Sequence, residues 1–237
     1  MSEDPRAQDY RRLLARMEAN DAEFRRLGRA VWRVQEDERR RLARELHDGI
    51  GQNLTALKHR LALIGTGLPA DDAALRRRLD DAIALCSATL EDTRTLSRLL
   101  RPPILDDLGL EPSLRWLARS LHADGGPQFD LELDAVPDLH ADLQTLLFRV
   151  AQEALTNAVR HAQAARIVLR LRARDGAASL EVEDDGRGCE PAQALRAGGS
   201  GLGGMRERVR LYGGTLELDA APDAGTRLRV RVPLDAA

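Results

Sequence analysis

Hydrophobic positions recur at helical spacing over much of the first hundred residues. From residue 42 onward, apolar side chains step by three and four positions, at Leu42, Leu46, Ile50, Leu54, Leu57, Leu61 and Ile64. This spacing predicts an amphipathic helix. After a glycine-containing turn at residues 65–72, a second series resumes at Leu75, Leu79, Ile83, Cys86, Leu90 and Leu100. Pro102 and Pro103 stop it, so the pattern predicts a helical hairpin over residues 37–101.

One hairpin cannot cover both of its apolar stripes. Two copies pairing as a four-helix bundle would cover them, and we therefore expect a homodimer. The N-terminal segment adds a heptad pattern, with apolar residues at Tyr10, Leu13, Met17, Phe24, Leu27, Val31 and Val34. The pattern loses phase over residues 37–41, which locally changes the winding of a coiled coil. Two interpretations stay open: a signal helix whose register gates activity, or a plain dimerising helix.

Beyond Pro103 the pattern changes to strands mixed with helices. Short apolar or alternating runs predict strands at 129–134, 167–173, 179–183, 216–219 and 227–232. Helices are expected through Leu114, Leu117 and Leu121, and around Glu153. This order favours an α+β two-layer sandwich. The predicted domains are a coiled-coil segment at 1–36, the hairpin at 37–101 and the sandwich at 102–237.

Composition narrows the function classes. The 237 residues are 43% hydrophobic and 31% charged, with a formal net charge of −2, as in globular proteins. No basic stripe interleaved with aromatics predicts direct nucleic-acid binding. No apolar run is long enough to span a bilayer, and the charged N-terminus lacks a signal-peptide pattern. The two cysteines, Cys86 and Cys189, show no metal-ligand spacing and fit a reducing cytoplasm.

The first helix of the hairpin carries a candidate nucleophile. His47 is followed directly by Asp48, which could accept a hydrogen bond from one ring nitrogen and leave the other with a free lone pair. Gln52 lies four residues after Asp48, on the same face of a regular helix, where its amide could orient a water. A surface polar contact between His47 and Asp48 is the plainer alternative.

Three glycine-containing segments suggest an anion site. An alternating strand ends in Asp184-Asp185-Gly186-Arg187-Gly188, a second block spans 198–204 ahead of a helix expected at 206–212, and Gly225-Thr226 opens the last strand. Glycines before a helix let backbone N–H groups approach a ligand closely. Each fragment alone is weak evidence. The chain lacks a Walker P-loop, and the block does not open a βαβ unit, which disfavours a Rossmann site.

A helix upstream of the glycines carries polar side chains one turn apart. Glu153 and Asn157 share a face, and Arg160 and His161 follow about a turn later. An acid and an amide at this spacing supply oxygens of the kind that Mg²⁺ accepts, with phosphate and water completing its shell. Arg160 would neutralise phosphate charge. A solvated polar face is the alternative.

Taken together, these motifs resemble the sensor histidine kinases of two-component systems, in the class that partners response regulators with helix-turn-helix output domains. His47-Asp48 with Gln52 is similar to the H-D-x-x-x-Q phosphoacceptor motif of that class, and residues 101–110 to its interdomain linker. Glu153 and Asn157 match the N box, and residues 184–188 and 201–208 match the two glycine boxes. The resemblance covers residues 37 to the C-terminus.

The resemblance implies a Bergerat-type ATP fold, shared with DNA gyrase, and phosphorylation of His47 from Mg²⁺ and ATP. Asp184 would read the adenine amino group, Asn157 and Glu153 would hold Mg²⁺, and Asp48 would accept a proton from His47. The other residues expected at the nucleotide are Arg160, His161, Gly186, Gly188, Gly201, Leu202, Gly203, Gly204 and Thr226. Of these, Gly201, Gly203 and Gly204 would form a phosphate lid.

By the same resemblance, the phosphoryl group would pass to an aspartate of a response regulator, and Gln52 would orient the water that dephosphorylates that partner. Two rival classes remain. An ATP-binding anti-sigma regulator would share the fold but lack the hairpin with His47. A phosphatase-biased or scaffold protein would bind the regulator with weak kinase activity.

Overall fold

The computed structural model describes residues 5–68, 72–122, 125–136, 139–190 and 201–235. The chain divides into two compact units. The helical unit is Val34–Pro103, and the sheet unit joins Met1–Arg33 to Ile104–Ala237. Among the described residues, no helix is both long and apolar enough to cross a bilayer. The three-part domain division predicted from the sequence stays a prediction.

The helical unit contains the predicted hairpin. Helix α1 (Pro5–Glu45) runs into it from the sheet unit, and a π-helical turn (Leu46–Gly51) joins α1 to α2 (Gln52–Thr66). Helix α3 (Ala73–Leu100) returns, and the Asp72 carboxylate caps it by accepting a hydrogen bond from the Leu75 N–H at 3.0 Å. The Ser97 hydroxyl donates to the Ala43 carbonyl at 2.8 Å, which ties α3 to the end of α1.

Much of the apolar surface of the hairpin is not covered within the chain. Large exposed apolar side chains include Leu57, Leu63, Ile64, Leu75, Leu85 and Leu96, with Leu85 70% exposed. Inward-facing residues such as Cys86 and Leu90 are buried between the helices. Each helix therefore has a buried side and a second apolar side left open.

The sheet unit has one layer of strands and one of helices, which confirms the predicted fold class. Five strands form a mixed sheet in the order β1-β2-β3-β5-β4, in which β1 and β2 are parallel and the other neighbours antiparallel. The strands are β1 (Gln128–Leu133), β2 (Arg166–Arg174), β3 (Ala177–Asp184), β4 (Thr215–Ala220) and β5 (Thr226–Pro233). All five predicted strands are present within one to two residues of their expected bounds.

Among the described residues, the helices that accompany the sheet are α4 (Pro103–Asp107), α5 (Leu110–Leu121), α6 (Ala141–Asn157) and α7 (Leu202–Leu211). The core contains fully buried residues of α6 such as Leu146 and Phe148, with Leu169 and Leu180 of the sheet. A π-helical turn (Ala158–Ala162) extends α6. Alternate strand residues carry charge on the other face, where Arg170 bonds Glu181 and Glu183. In the part of the chain that the structure describes, helices therefore cover one face of the sheet and charged side chains occupy the other.

Candidate active site

A cavity of about 300 Å³ opens in the sheet unit. Helix α6 with its π-helical turn, the ends of β3 and β5, and the start of α7 contribute to its wall. The predicted nucleotide residues that line it are Glu153, Asn157, His161, Asp184, Gly188, Gly201, Leu202 and Thr226. The structure thus brings together residues from four separate segments of the sequence.

Much of the cavity wall is apolar and was not identified from the sequence. Alternate residues of the strands supply Val182, Leu218 and Leu228, and α6 and its π-helical turn add Ala154, Ala158 and Ala162. Strand alternation, which places every second side chain on the helix-covered face, is the signal that would have identified the strand residues. An apolar slot with few polar groups suits a flat heteroaromatic ring.

Asp184 is the polar group at the end of β3. It is only 8% exposed, and one carboxylate oxygen accepts a hydrogen bond from the Gly186 N–H at 3.0 Å. Burial raises the pKa of this carboxyl, and hydrogen bonds from Gly186 and Thr226 partly offset the rise. The arrangement suits a hydrogen-bond acceptor for an amino group on a bound ring.

Two glycines of the first glycine segment serve the fold of the protein itself. A Cβ at Gly186 would lie 2.2 Å from the Ala162 carbonyl oxygen, and one at Gly188 would lie 2.0 Å from that of Ala221. Gly188 also has a φ of +63°, which other residues rarely adopt. Gly186 does not line the cavity, whereas Gly188 does. Close packing of the backbone therefore requires glycine at both positions. From the sequence, both glycines were instead expected at the nucleotide.

The polar side of the cavity carries oxygen and nitrogen groups from α6. Glu153 and Asn157 lie one turn apart and both line the cavity, so a carboxylate and an amide oxygen are available to a cation there. Within the described residues, no group of three or more His, Cys, Asp or Glu could hold a metal alone. A bound Mg²⁺ would therefore need phosphate and water oxygens as well, which is its usual preference.

Among the described residues, the basic side chains that line the cavity are His161 and Arg187. Arg160 is exposed and lies outside the lining, whereas its neighbour His161 lines the cavity. The wider π-helical repeat at 158–162 changes which residues share a face. Arg187, between the two glycines of the first segment, lines the cavity. Its position inside a glycine turn is the signal that would have identified it.

The second glycine block is partly helical. Gly198, Gly199 and Ser200 lie outside the described residues. Helix α7 begins at Leu202 and not near Arg206 as expected, because the fully buried Met205 and Val209 anchor its first turns. Gly201 and Leu202 line the cavity, whereas Gly203 and Gly204 lie within α7 and outside the lining.

Cys189 also lines the cavity. Burial, together with the nearby charge of Asp184, raises the pKa of its thiol. The side chain is therefore held as a neutral thiol and contributes a small, mostly apolar surface.

His47 lies in the helical unit, on the π-helical turn. Its side chain is exposed and borders a groove of about 330 Å³. The other lining residues are Gly51, Gln52, Thr55, Ala56, His59, Leu90, Thr93 and Arg94. Gln52, five residues after His47, lines this groove, whereas Asp48 does not. Because a π-helix pairs residues five apart, the structure groups Gln52 with His47.

The sheet unit thus contains a cavity with an apolar wall and a polar side, and the helical unit exposes a histidine. Residues 38–105 match the family model described as histidine kinase. Residues 142–236 match the model described as histidine kinase-, DNA gyrase B- and HSP90-like ATPase. The chain belongs to the histidine kinase family.

Curated relatives agree with this membership. The chain is 37% identical to the sensor histidine kinase MctS of Rhizobium johnstonii, over 91% of this chain and 47% of that protein. It is 36% identical to the signal transduction histidine-protein kinase/phosphatase UhpB of Salmonella typhimurium, over 88% of this chain and 41% of that protein. It is 33% identical to the oxygen sensor histidine kinase NreB of Staphylococcus carnosus, over 85% of this chain and 58% of that protein. The chain spans about half the length of these relatives.

A solved structure shares the fold. The histidine kinase domain of the blue-light activated histidine kinase from Erythrobacter litoralis EL346 aligns with a TM-score of 0.51. The alignment covers 77% of this chain and 94% of that one, at 19% identity. The likeness concerns the fold alone. The ATPase family match supports ATP as the nucleotide.

Proposed function

We propose that this chain is the kinase part of a two-component system, which phosphorylates its own His47 from Mg²⁺ and ATP. The observation that carries the proposal is the single cavity that collects Glu153, Asn157, Asp184 and Thr226 from distant parts of the sequence. The exposed His47 of the helical unit supplies the acceptor.

Each lining residue has a role in this proposal. Asp184 accepts a hydrogen bond from the adenine amino group, and the apolar wall holds the ring. Glu153 and Asn157 hold Mg²⁺ near the phosphates, where Arg187 and His161 add donors. Gly201 and Leu202 border the phosphates at the start of α7, whose positive N-terminal end favours anions. The roles predicted for Arg160, Gly186, Gly203 and Gly204 stay predictions, since these residues lie outside the cavity lining.

The transfer step needs little covalent chemistry from the protein. One ring nitrogen of His47 forms a bond to the γ-phosphorus of ATP, and the bond to the bridging oxygen breaks to release ADP. Asp48 accepts the proton from the other ring nitrogen. Positioning and charge neutralisation supply most of the catalysis in such reactions. The proton transfer is worth about two to four orders of magnitude in rate.

A response regulator with a receiver domain is the proposed partner, and an aspartate of that partner receives the phosphoryl group from His47. Gln52 would orient the water that later dephosphorylates the regulator, because it borders the same groove as His47. One relative, UhpB, is named a kinase/phosphatase. A protein biased towards the phosphatase reaction, with weak kinase activity, is the second candidate, and the shared groove is the observation in its favour.

Two further proposals concern organisation. The exposed apolar residues of the hairpin support a homodimer in which two hairpins form a four-helix bundle. The sequence-based division into segments 1–36, 37–101 and 102–237 assigns the coiled coil, the phosphoacceptor hairpin and the ATP-binding domain.

Incubation of the purified protein with γ-labelled ATP tests the proposed activity. A phosphohistidine is acid-labile and survives base, so the label should be lost in acid and absent in the His47→Gln variant. Adding a receiver domain should move the label to that protein. A label that survives acid would refute the histidine kinase, and no label combined with regulator dephosphorylation would favour the phosphatase-biased candidate.

A further inference from the structure

A row of arginine and hydroxyl side chains crosses the charged face of the sheet. Arg172 of β2 pairs across the strands with Ser179 of β3, which pairs with Arg231 of β5. Arg231 pairs in turn with Thr215 of β4. Residues that pair directly in a sheet point to the same face, and all four line a groove of about 620 Å³ there. We call these four residues the arginine–hydroxyl row.

The neighbouring row on the same face is paired in charge. From β1 to β4 it contains Glu132, Arg170, Glu181, Arg229 and Glu217. Arg170 bonds the acids on both sides of it, and Arg229 bonds Glu181 and lies 4.0 Å from Glu217. The arginine–hydroxyl row has no acid of its own, so its positive charge is not balanced within the row.

Both arginines of the arginine–hydroxyl row keep donors for a ligand. Within the described residues, the exposed Arg231 side chain makes no hydrogen bond or ion pair. Arg172 donates from one nitrogen to Glu132 at 3.0 Å, and Arg170 bonds the same carboxylate. Since a guanidinium has several N–H donors, this shared bond leaves Arg172 with donors to spare.

The two hydroxyl residues extend the set of donors. The Ser179 hydroxyl lies 3.4 Å from the Arg172 carbonyl oxygen, a long contact that an anion can replace. Thr215 is exposed on β4, which forms an edge of the sheet. A guanidinium with neighbouring hydroxyls matches the oxygens of a carboxylate. The row therefore has the chemistry of a site for oxyanions.

The dimensions of the row indicate more than one anion. Neighbouring strands lie about 4.8 Å apart, so the row is about 14 Å long and the Cα atoms of its two arginines lie about 10 Å apart. The groove volume of about 620 Å³ is in the range of sites for ligands much larger than one oxyanion. A chain that carries successive carboxylates fits this length, with one carboxylate at each arginine.

The neighbouring row disfavours broad anionic surfaces as ligands. Its three carboxylates, from Glu132, Glu181 and Glu217, outnumber its two guanidiniums. A membrane of anionic lipids or a nucleic acid would cover both rows and meet this excess of like charge. An acidic segment that follows only the arginine–hydroxyl row avoids it.

We propose that the arginine–hydroxyl row is a docking surface for an acidic segment of a partner protein. Carboxylates of the segment bind Arg172 and Arg231, and its other polar groups bond Ser179 and Thr215. None of these four residues lines the nucleotide cavity, which lies on the helix-covered side of the sheet. A docked segment therefore leaves the cavity accessible, and docking does not require the proposed kinase activity.

A labelled peptide tests the docking surface. The probe is a fluorescein-labelled peptide of repeated Glu-Gly-Ser units, because three extended residues span about 10 Å, the separation of the two arginines. The same peptide with Gln in place of Glu is the control for charge. Fluorescence polarisation with the full chain at low ionic strength should show saturable binding of the acidic peptide, and at least about tenfold weaker binding of the control. No saturable binding, or equal binding of both peptides, would overturn the proposal.

Two substitutions in the row should weaken binding of the acidic peptide. Arg231→Gln should do so by up to about fivefold, the effect of one exposed ion pair. Thr215→Glu should do the same, because it places a carboxylate of the protein itself opposite Arg231. Arg119→Gln, which removes an exposed arginine of α5, is the matched control and should bind like the wild-type protein. Equal losses in Arg119→Gln and Arg231→Gln would mean that the peptide responds only to net charge, and would overturn the proposal.

Glu217→Gln tests the same groove in the opposite direction. It removes a carboxylate from the lining of the groove and releases Arg229 for the ligand. Binding of the acidic peptide should therefore tighten by up to about fivefold. Unchanged or weaker binding would show that the peptide does not lie in this groove. Arg231→Gln should unfold in urea like the wild-type protein, since no bond of its side chain is lost, so weaker binding is not a loss of folding.

Two further probes separate the other sources of anions. Vesicles that contain phosphatidylserine should bind no more tightly than neutral vesicles, and inorganic phosphate should displace the peptide no better than chloride of equal ionic strength. Vesicle binding that Arg231→Gln abolishes, or displacement by phosphate alone, would identify a lipid or single-oxyanion site and overturn the acidic segment. All these measurements are made without ATP, so a failure of docking and a failure of the proposed kinase activity are distinguishable.

Discussion

Burial of the Asp184 carboxylate disfavours its charged form and raises its pKa. Its raised pKa means that it takes up a proton at higher pH than an exposed aspartate does. A protonated Asp184 accepts hydrogen bonds from an amino group less well. We therefore expect nucleotide affinity to fall as the pH decreases through that raised pKa. Titration calorimetry with an ATP analogue at several pH values would measure this.

Replacing Asp184 with Asn should weaken nucleotide binding by about tenfold to a hundredfold, the equivalent of about 1.5–3 kcal/mol for a hydrogen bond to a charged group. The pH dependence should disappear with it. Asp185→Asn is the matched control, because Asp185 is exposed, lies outside the cavity lining, and accepts hydrogen bonds from Ala165 and Arg166 that an amide oxygen can keep. Equal loss in both variants would contradict the role of Asp184.

Residue types at this site were easier to infer than residue positions. Glu153 and Asn157 line the cavity together, as residues four apart on a regular helix share a face, and Asp184, expected there from the family resemblance, also lines it. Arg187 lines the cavity and Arg160 does not, which the sequence did not predict, because the π-helical turn at 158–162 changes which residues share a face. The packing of Gly186 against Ala162 joins distant segments, which local patterns do not show.

At the scale of elements, the π-helical turn at 46–51 is the clearest departure from the regular helix that the sequence predicts. The apolar pattern through Leu46, Ile50 and Leu54 is continuous, so the sequence indicated one regular helix. The turn groups His47 with Gln52 at the groove. The sequence also predicted that α7 begins at residue 206, whereas it begins at Leu202. Gly203 and Gly204 weaken the helical pattern in the sequence, but the buried Met205 and Val209 stabilise the helix.

If Gln52 orients a water at this groove, Gln52→Ala should impair dephosphorylation of the regulator far more than autophosphorylation of His47. We expect dephosphorylation of a phosphorylated receiver domain to fall by at least about a hundredfold, because a water is left unpositioned. Autophosphorylation of His47 should change far less. Asn53→Ala, at an exposed neighbour outside the groove, is the control. Retention of phosphatase activity by Gln52→Ala would show that the groove has another use.

The exposed face of the sheet depends on a network of ion pairs. Arg170 bonds Glu132, Glu181 and Glu183 at once, and hydrogen bonds from Arg170 and Arg227 hold the pKa of Glu183 below its ordinary value of 4.5. A lowered carboxyl pKa stabilises the folded state above the ordinary value, and this contribution is lost as the pH falls through the lowered pKa.

Arg170→Gln should lower the free energy of unfolding by about 1 kcal/mol near neutral pH, given three partly exposed partners. The difference from the wild-type protein should shrink as the pH falls below 4.5. Arg172→Gln, which loses one bond to Glu132, should cost less than about half as much. Urea unfolding at several pH values would measure both. An unchanged difference at low pH would mean that Arg170 acts through packing alone.

For the whole molecule, the open question is what covers the apolar side of the hairpin. Leu63, Leu85 and Leu96 are 56–70% exposed in the single chain. Burying an apolar side chain of this size is worth about 1.5–3 kcal/mol. Burial of several such residues in one interface would offset part of the cost of association, so we expect a second copy of the hairpin to cover them.

Leu85→Glu should weaken that dimer strongly without unfolding the chain, because Leu85 is 70% exposed and loses little contact within its own hairpin. Sedimentation velocity over a range of concentrations should show a rise in the dissociation constant of at least about tenfold, since each side of the interface would bury a charge. Ala84→Glu adds the same charge at the exposed neighbouring position and should leave the dimer intact. If both variants sediment like the wild-type protein, the apolar side of the hairpin that includes Leu85 is covered by something other than a second copy.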